Sequence, residues 1–298
     1  MENTAFLFPG QGGQFVGQGK AWYDAYPQVQ EIFRTADEVT GLPISKLSFE
    51  GPLDELTKTC NLQPAVLAVS LAAASLHKAA GRSPNYAAGH SLGEFAALCA
   101  AEVFDVPTAF ELISQRATLM QKAAMKNPGT MAAILNLDIP TLESICELAS
   151  AEGTVVIANY NTPQQTVISG TSRAVAAAVR FAQAKGGRSI ALPVSGGFHS
   201  PLMAESAFAF SDILRNVDFK SPKIPVIPNA LGTPVSDPDE LKVRLIAQMT
   251  SPVRWVDTIN SLLEAGVKNF CECWPKPYLS NMIKKCLPEG SDAILYLP

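Results

Sequence analysis

The sequence predicts an α/β fold: a mostly parallel sheet flanked by helices, with a small subdomain inserted into it. Short apolar segments alternate with longer helical segments along most of the 298 residues, which is typical of such a sheet. Residues 84–104 run in the order strand, sharp turn, helix around a G-x-S-x-G motif. Residues 128–194 run in the order βαββαβ, which is the ferredoxin-like pattern.

The composition is typical of a globular protein with a sizeable core. Hydrophobic residues make up 47% of the chain and charged residues 17%, which argues against disorder. A net charge of -4, from 23 basic and 27 acidic residues, argues against nucleic acid as the main partner. Met1–Thr4 lacks the basic and apolar pattern of a signal peptide, and residues 59–75 suit a buried core helix better than a membrane span.

The six cysteines are scattered along the chain. Cys271 and Cys273 alternate within a predicted strand and do not have the spacing of a zinc site. We therefore expect no metal, and we expect buried free thiols in a reducing cytoplasm.

The first part of the chain predicts a strand at residues 4–8, a glycine-rich loop at 11–14 and a helix around 23–39. The loop lacks the G-x-G-x-x-G and P-loop patterns, so we interpret it as a loop whose backbone N–H groups face a reacting oxygen. Pro64 is expected in the first turn of an apolar helix that ends near residue 80. Further segments predict a strand at 84–88 and helices at 94–104 and 107–126.

The second part of the chain begins with the predicted subdomain, residues 128–194, which separates two parts of a large catalytic domain, 1–127 and 195–298. Within the subdomain we expect strands at 131–137, 154–159, 165–169 and 188–194, with helices at 140–151 and 172–185. The large domain then continues with helices at 201–217, 238–249, 253–265 and 278–286, and with strands at 224–227, 267–273 and 293–297. Pro225 places the strand at 224–227 near a sheet edge.

Ser91, at the centre of the G-x-S-x-G motif, is the candidate nucleophile. The flanking glycines allow a tight turn that would lift the Ser91 hydroxyl above the sheet edge. Gln11 and Ser91 would both lie at the carboxyl ends of parallel strands, where ligands of such sheets bind. The alternative is a glycine-rich turn in which the serine only caps a helix.

His199 is the candidate general base, because a serine needs a base to act as a nucleophile at neutral pH. The chain has three histidines, and His77 lies in a helix while His90 is expected to point away from its neighbour Ser91. His199 follows two glycines and precedes Pro201, on a loop at a helix start. The alternative is a capping or surface histidine. No acidic residue is evident as its partner, and a backbone carbonyl could serve.

Arg116 lies in a helix that is otherwise apolar on one face. Its guanidinium could bind a substrate carboxylate through two hydrogen bonds, or it could form a surface ion pair. Gln11 and Gln63 stand beside predicted loops, where they could bond to the site or satisfy the local backbone.

Taken together, these motifs resemble those of the malonyl-CoA:acyl-carrier-protein transacylases, over nearly the whole chain. That family includes discrete acyltransferases of modular polyketide synthases as well as enzymes of fatty-acid synthesis. It has a hydrolase-like α/β domain with a ferredoxin-like insertion, in agreement with the predicted order. The shared motifs are Pro9–Gln14, Gln63–Ala65, Gly89–Glu94, Arg116 with Leu119–Gln121, Phe198–Ser200 with Met203, and Pro252–Trp255.

The resemblance implies a role for each matching residue. Ser91 would be the nucleophile and His199 the base, while Gln248 would orient His199 through its backbone carbonyl. The backbone N–H groups of Gln11 and Leu92 would form the oxyanion hole.

The resemblance also implies a substrate. Arg116 would hold the malonate carboxylate and Gln63 would support the site. Phe198 before His199 is similar to the malonyl-selecting form of that loop and would crowd a C2 methyl group, with discrimination of about 1–3 kcal/mol. The implied partners are malonyl-CoA and an acyl carrier protein whose phosphopantetheine thiol accepts the malonyl group, with no cofactor.

Two positions depart from the family pattern: Trp274-Pro275-Lys276 replaces the usual Gly-Pro-Gly, and Gly13 stands where serine is frequent. Residues 159–165 look more like the polyketide-associated branch. One alternative function is a hydrolase that clears acyl groups from carrier proteins, and Arg116 argues against it. Another is an idle docking module, which the intact serine, histidine and arginine disfavour.

Overall fold

The computed structural model describes residues 3–298, in which nine strands form two sheets flanked by thirteen α-helices. The strands of the larger sheet are β1 (Asn3–Phe8), β2 (Tyr86–Gly89), β7 (Val226–Ile227), β8 (Val267–Glu272) and β9 (Ile294–Tyr296). The smaller sheet holds β3 (Gly129–Leu135), β4 (Val155–Thr162), β5 (Gln165–Thr171) and β6 (Arg188–Ala191). The helices are α1 (Lys20–Ala25), α2 (Pro27–Thr40), α3 (Ile44–Glu50), α4 (Leu53–Leu56), α5 (Thr59–Ala79), α6 (Gly93–Ala100), α7 (Val106–Lys126), α8 (Ile139–Ala149), α9 (Ser172–Ala184), α10 (Ala204–Arg215), α11 (Pro238–Ala247), α12 (Trp255–Glu264) and α13 (Leu279–Cys286).

The larger sheet has the strand order β7-β2-β1-β8-β9, and every pair in it is parallel. This confirms the predicted parallel sheet and places β7 at its edge, where Pro225 suggested. Phe8 pairs with Gly89, so β1 and β2 end side by side. The loops that carry Gln11 and Ser91 therefore leave the sheet at the same edge.

Close packing of glycines shapes the turn after β2. A Cβ atom on Gly93 would lie 2.2 Å from the carbonyl oxygen of Phe8, and one on Gly89 would lie 1.9 Å from the carbonyl carbon of Gly93. Only glycine lets α6 start this close to β1 and β2. Packing therefore requires the two glycines of the G-x-S-x-G motif, independently of any catalytic role of the serine.

The buried helix α5 was predicted as a core helix, and it is one. By length and composition it could cross a membrane, but 89% of its most apolar window is buried inside the protein. Its start was predicted wrongly: α5 begins at Thr59, and Pro64 lies inside it. Its first turn is held by N–H groups of Asn61 and Leu62 that donate to Lys58, so the proline costs one later backbone bond and not the helix.

The smaller sheet has the order β4-β5-β3-β6, with every pair antiparallel. With α8 and α9 between its strands, this is the predicted ferredoxin-like arrangement. It is joined to the rest of the chain by backbone bonds from Tyr160 N–H to the Val253 carbonyl (2.9 Å) and from Val253 N–H to the Ala158 carbonyl (2.8 Å). The domain boundaries at 128 and 194 stay predictions.

One predicted helix is two in the structure. The segment expected around residues 23–39 is interrupted at Tyr26, whose backbone is extended (φ −130°, ψ 117°) between α1 and α2. A residue before proline is disfavoured in the helical region, and Pro27 opens α2. The short helices α3 and α4 were not predicted.

Candidate active site

Ser91 sits on a strained turn between β2 and α6. Its φ of 51° lies in the left-handed region, which a non-glycine residue occupies only where its surroundings hold it there. Asn229, in the loop after β7, stabilises this backbone conformation through two hydrogen bonds. Its Oδ1 accepts a hydrogen bond from Ser91 N–H (2.5 Å), and its Nδ2 donates to the Gly89 carbonyl (2.5 Å).

His199 approaches Ser91 from the loop after β6, and it too has a positive φ, 57°. The Nε2 atom lies 2.8 Å from Ser91 Oγ. The Nδ1 atom lies 2.9 Å from the carbonyl oxygen of Gln248 and 3.2 Å from that of Ser251. Carbonyls only accept, so Nδ1 carries the proton and the lone pair of Nε2 faces the serine hydroxyl.

The electrostatics of this site keep His199 neutral. Burial, and to a lesser extent the nearby charge of Arg116, lower the pKa of His199 to about 3, against the hydrogen bonds to Gln248 and Ser251, which act in the opposite direction. An imidazole without its proton is the form that a general base requires.

Arg116 lies in α7, directly behind the serine, with 1% of its surface exposed. Nη2 donates to Ser91 Oγ (3.3 Å) and to Gln248 Oε1 (2.8 Å), and Nη1 donates to Gln63 Oε1 (2.8 Å). Burial lowers the pKa of Arg116 to about 10, so the side chain is a cation at neutral pH. Arg116 is in none of the ion pairs found among residues 3–298.

Two of the five guanidinium N–H donors have no partner in the described part of the chain: the one on Nε and one of the pair on Nη1. A buried cation with unused donors, hydrogen-bonded only to neutral groups, leaves an anion-binding capacity beside Ser91, the candidate nucleophile.

A buried carboxyl, Glu94, links the groups around Ser91. Its Oε2 accepts hydrogen bonds from Asn229 N–H (2.9 Å) and Gln248 Nε2 (2.8 Å), and the same Nε2 donates to the Ser91 carbonyl (3.0 Å). Burial raises the pKa of Glu94 to about 7, against the effect of these hydrogen bonds and of Arg116. Gln248 thus contacts the site through its side chain as well as through its carbonyl.

The backbone N–H groups of Gln11 and Leu92 are the predicted oxyanion hole. Both residues line the cavity that contains Ser91 and His199. Within residues 3–298 neither N–H donates to another group, in contrast to the N–H of Gly93, which donates to the His90 carbonyl. Leu92 also stands at the start of α6, where the helix dipole favours negative charge. The role of both amides stays a prediction.

The cavity has a volume of about 360 Å³ and lies between the smaller sheet and the loops that follow β1 and β2 of the larger sheet. Amide side chains of the smaller sheet line one part of it: Asn159, Asn161 and Gln165. Apolar side chains line another part: Met120, Met131, Val167, Leu192, Phe198 and Met282. Gln63 and Phe198, which the sequence singled out, both border it.

The other two histidines bond to groups other than Ser91. His77 is buried, and its Nε2 lies 3.1 Å from the Glu272 carbonyl. The Nε2 atom of His90 bonds to Asn161 Oδ1 (2.9 Å), and its ring packs edge-on against Trp255. Among residues 3–298 no group of three or more His, Cys, Asp or Glu side chains could hold a metal ion.

Sequence reasoning missed three residues of this site: Glu94, Asn229 and Ser251. Glu94 follows the motif directly, and Asn229 follows a predicted strand at the sheet edge where ligands bind, so both had a positional signal. Ser251 acts through its carbonyl, which every residue has, so no side-chain pattern could have identified it.

Comparisons with known proteins identify relatives over nearly the full length. Residues 5–295 match the family described as "Acyl transferase domain". The chain is 41% identical over 287 residues to the malonyl CoA-acyl carrier protein transacylase of Bacillus subtilis, covering 96% of this chain and 90% of that one.

The solved structures that resemble this fold are of proteins of the same kind. The malonyl CoA-acyl carrier protein transacylase of Coxiella burnetii has a TM-score of 0.94 at 36% identity, over 99% of this chain and 93% of that one. A malonyl-transacylase solved in complex with its type II polyketide synthase acyl-carrier protein has a TM-score of 0.92 at 34% identity, over 96% and 93%.

Proposed function

The chain belongs to the acyl transferase family of malonyl-CoA:acyl-carrier-protein transacylases, and we propose that it transfers a malonyl group from malonyl-CoA to a carrier protein. The acceptor is the thiol of the phosphopantetheine arm. The observation that carries this function is the contact of Ser91 Oγ with His199 Nε2 (2.8 Å) and with the cationic Arg116 (3.3 Å).

In the first half-reaction, His199 Nε2 takes the proton of Ser91 as Oγ attacks the thioester carbonyl of malonyl-CoA. The resulting oxyanion accepts hydrogen bonds from the N–H groups of Gln11 and Leu92. Such a donor is worth about 3–4 kcal/mol in the transition state. Collapse breaks the C–S bond, and the protonated His199 returns its proton to the departing thiolate of coenzyme A.

In the second half-reaction, His199 takes the proton of the phosphopantetheine thiol, and the sulfur attacks the malonyl-Ser91 ester. The same two N–H groups stabilise the second oxyanion. Collapse breaks the bond to Ser91 Oγ, which recovers its proton from His199. Both steps use side chains and backbone groups of the chain, and no cofactor takes part.

Arg116 supports a dicarboxylic acyl group as the substrate. A malonyl group on Ser91 carries its free carboxylate within reach of a guanidinium that lies beside the oxygen to which it is attached. The malonyl carboxylate pairs with the buried charge of Arg116 and accepts hydrogen bonds from the N–H donors of Arg116 that have no other partner.

Phe198 supports malonyl over methylmalonyl groups. Its ring is 5% exposed and lines the cavity next to His199. The ring would crowd a methyl group at C2 and discriminate against it by about 1–3 kcal/mol.

A carrier protein is the proposed partner, and the cytoplasm is the proposed location. The relative solved together with its acyl-carrier protein supports this class of partner. The proposed acceptor is a carrier protein of fatty-acid or polyketide synthesis, and one relative is named as a polyketide biosynthesis protein.

The alternative of a hydrolase that clears acyl groups is not favoured. A neutral acyl chain would leave the unused N–H donors of the buried Arg116 without a hydrogen-bond acceptor, which costs free energy.

A panel of acyl-CoA donors tests the function directly. Acetyl-, malonyl-, methylmalonyl- and hexanoyl-CoA are each mixed with the enzyme and a carrier protein, and acyl transfer and hydrolysis are scored separately. We expect malonyl transfer to be the fastest reaction and hydrolysis to be slow. Faster hydrolysis than transfer, or a preference for hexanoyl-CoA, would contradict the proposal.

A further inference from the structure

The segment after β8, residues 274–278, contacts the loop after β1, residues 9–15, at three alternate positions. The Trp274 indole N–H donates to the Gly13 carbonyl (3.3 Å). Lys276 Nζ lies 3.7 Å from the centre of the Phe15 ring. The mechanism uses none of these contacts, yet the loop they hold carries one of the two oxyanion-hole donors.

The third contact reaches that donor residue itself. The hydroxyl of Tyr278 donates to the carbonyl oxygen of Gln11 (3.0 Å). This hydrogen bond fixes the peptide group between Gln11 and Gly12. It therefore restrains backbone rotation at Gln11, whose N–H is the proposed oxyanion-hole donor.

The segment packs closely against the two glycines at the centre of the loop, Gly12 and Gly13. Gly12 has φ 121°, and a Cβ atom there would lie 2.4 Å from the Tyr278 hydroxyl. A Cβ atom on Gly13 would lie 3.1 Å from both the Trp274 indole nitrogen and the Tyr278 ring. Trp274 and Gly13 are thus in contact, and a side chain at Gly13 would have to displace the indole or the Tyr278 ring slightly.

The segment is itself anchored firmly. Trp274 has 1% of its surface exposed. The Glu272 carboxylate, fully buried, accepts hydrogen bonds from the N–H groups of Tyr278 (2.9 Å), Leu279 (2.6 Å) and Ser280 (2.9 Å). An anion at the start of α13 also interacts favourably with the helix dipole, so Tyr278 is held in place from the strand that precedes it.

We propose that Tyr278, assisted by Trp274, is a positioning residue for the Gln11 oxyanion-hole N–H. The inference rests on the proposed function, since it assigns Tyr278 to the same acyl-transfer site. Oxyanion donors act because they are fixed before the charge develops, so a loosened loop reduces stabilisation of the transition state more than binding of the substrate.

The test is Tyr278→Phe, which keeps the ring against Gly13 and removes only the hydroxyl. We expect the maximal rate of Ser91 acylation by malonyl-CoA to fall about 3- to 10-fold, the effect of one lost hydrogen bond, with KM nearly unchanged. Hydrogen exchange of the Gly12 backbone amide, which donates to Gln14 Oε1 (2.7 Å) in the same loop, should become faster. Tyr26→Phe, at an exposed tyrosine between α1 and α2 that does not line the cavity, is the matched control and should acylate at the parent rate.

Trp274→Phe gives a second, independent variant, because it removes the indole donor to Gly13 and keeps an aromatic ring. It should lower the acylation rate in the same direction. A malonyl adduct on Ser91 in the parent establishes the proposed function separately. With that adduct present, acylation of Tyr278→Phe at the parent rate, or a loss confined to KM, would overturn the inference and leave the function standing.

Discussion

At the scale of single residues, the reactivity of His199 depends on neighbours with opposite effects. Burial and the charge of Arg116 lower its pKa to about 3, whereas the carbonyls of Gln248 and Ser251 stabilise its protonated form. Because a carbonyl takes the place of the usual acidic partner, the imidazolium receives no full negative charge from its orienting groups.

Removing the charge of Arg116 should therefore raise the pKa of His199. In Arg116→Met, an NMR titration of labelled histidine should show His199 taking up its proton at higher pH than in the parent. Arg254→Met removes a surface cation that pairs with Asp257 and should leave the titration as in the parent. Protonation of His199 at the same pH in the parent and in Arg116→Met would contradict this account of the charge.

The carboxylate role of Arg116 has a separate test in the choice of acyl group. Arg116→Ala should reduce malonyl transfer by about 10- to 100-fold, the value of a charge-assisted hydrogen bond, and increase activity on acetyl groups relative to malonyl. The two rates are measured with the same carrier protein. An equal loss on both acyl groups would show that Arg116 serves the nucleophile alone.

Which site residues were predictable from the sequence depends on how each residue acts. Ser91 lies in a motif whose glycines are required by packing, and His199 was the one histidine left on a suitable loop. Asn229 and Ser251 act by hydrogen bonds to the backbone or through it, from segments remote in the chain. Only the three-dimensional structure brings such groups together.

At the scale of elements, the turn between β2 and α6 is built on backbone proximity. Gly93→Ala would place a methyl group 2.2 Å from the Phe8 carbonyl oxygen. The start of α6 cannot move away from the end of β1 without opening the sheet. We expect the free energy of unfolding in urea to fall by about 3 kcal/mol, the upper part of the range for overpacking.

The comparison for Gly93→Ala is Gly186→Ala: Gly93 has no positive φ, so its loss reports packing, whereas Gly186 has φ 85° and open space around its Cβ position. Gly186→Ala adds backbone strain without a steric contact, and the free energy of unfolding should fall by only about 1–2 kcal/mol. Equal losses in the two variants would mean that close packing of α6 does not shape the turn.

The strands and long helices were predictable because their apolar periodicity matches their burial. The errors have local causes. Tyr26 separates α1 from α2 because Pro27 follows it, and Pro64 is tolerated inside α5 because the packing of that helix outweighs one missing backbone bond.

At the scale of the whole molecule, folding buries ionisable groups around Ser91, and Glu94 keeps only 1% of its surface exposed. That burial has a cost at Glu94, whose pKa is raised to about 7 from an ordinary value of 4.5. Between these pH values the unfolded chain ionises Glu94 and the folded protein keeps it protonated. The contribution of Glu94 to stability therefore falls as pH rises through this range.

Glu94→Gln should remove this pH dependence. Relative to the parent, the free energy of unfolding of the variant should rise by about 3 kcal/mol between pH 4.5 and pH 8. Urea unfolding at both pH values measures it, with the exposed Glu289→Gln expected to follow the parent. A constant difference between Glu94→Gln and the parent would show that Glu94 does not titrate in this interval.

The central claim is a malonyl group carried on Ser91, and intact mass spectrometry after mixing with malonyl-CoA tests it most directly. We expect one malonyl adduct on the parent, located on Ser91, which disappears when a carrier protein thiol is added. Ser91→Ala should show none. An unmodified parent, or the same adduct on Ser91→Ala, would contradict the mechanism.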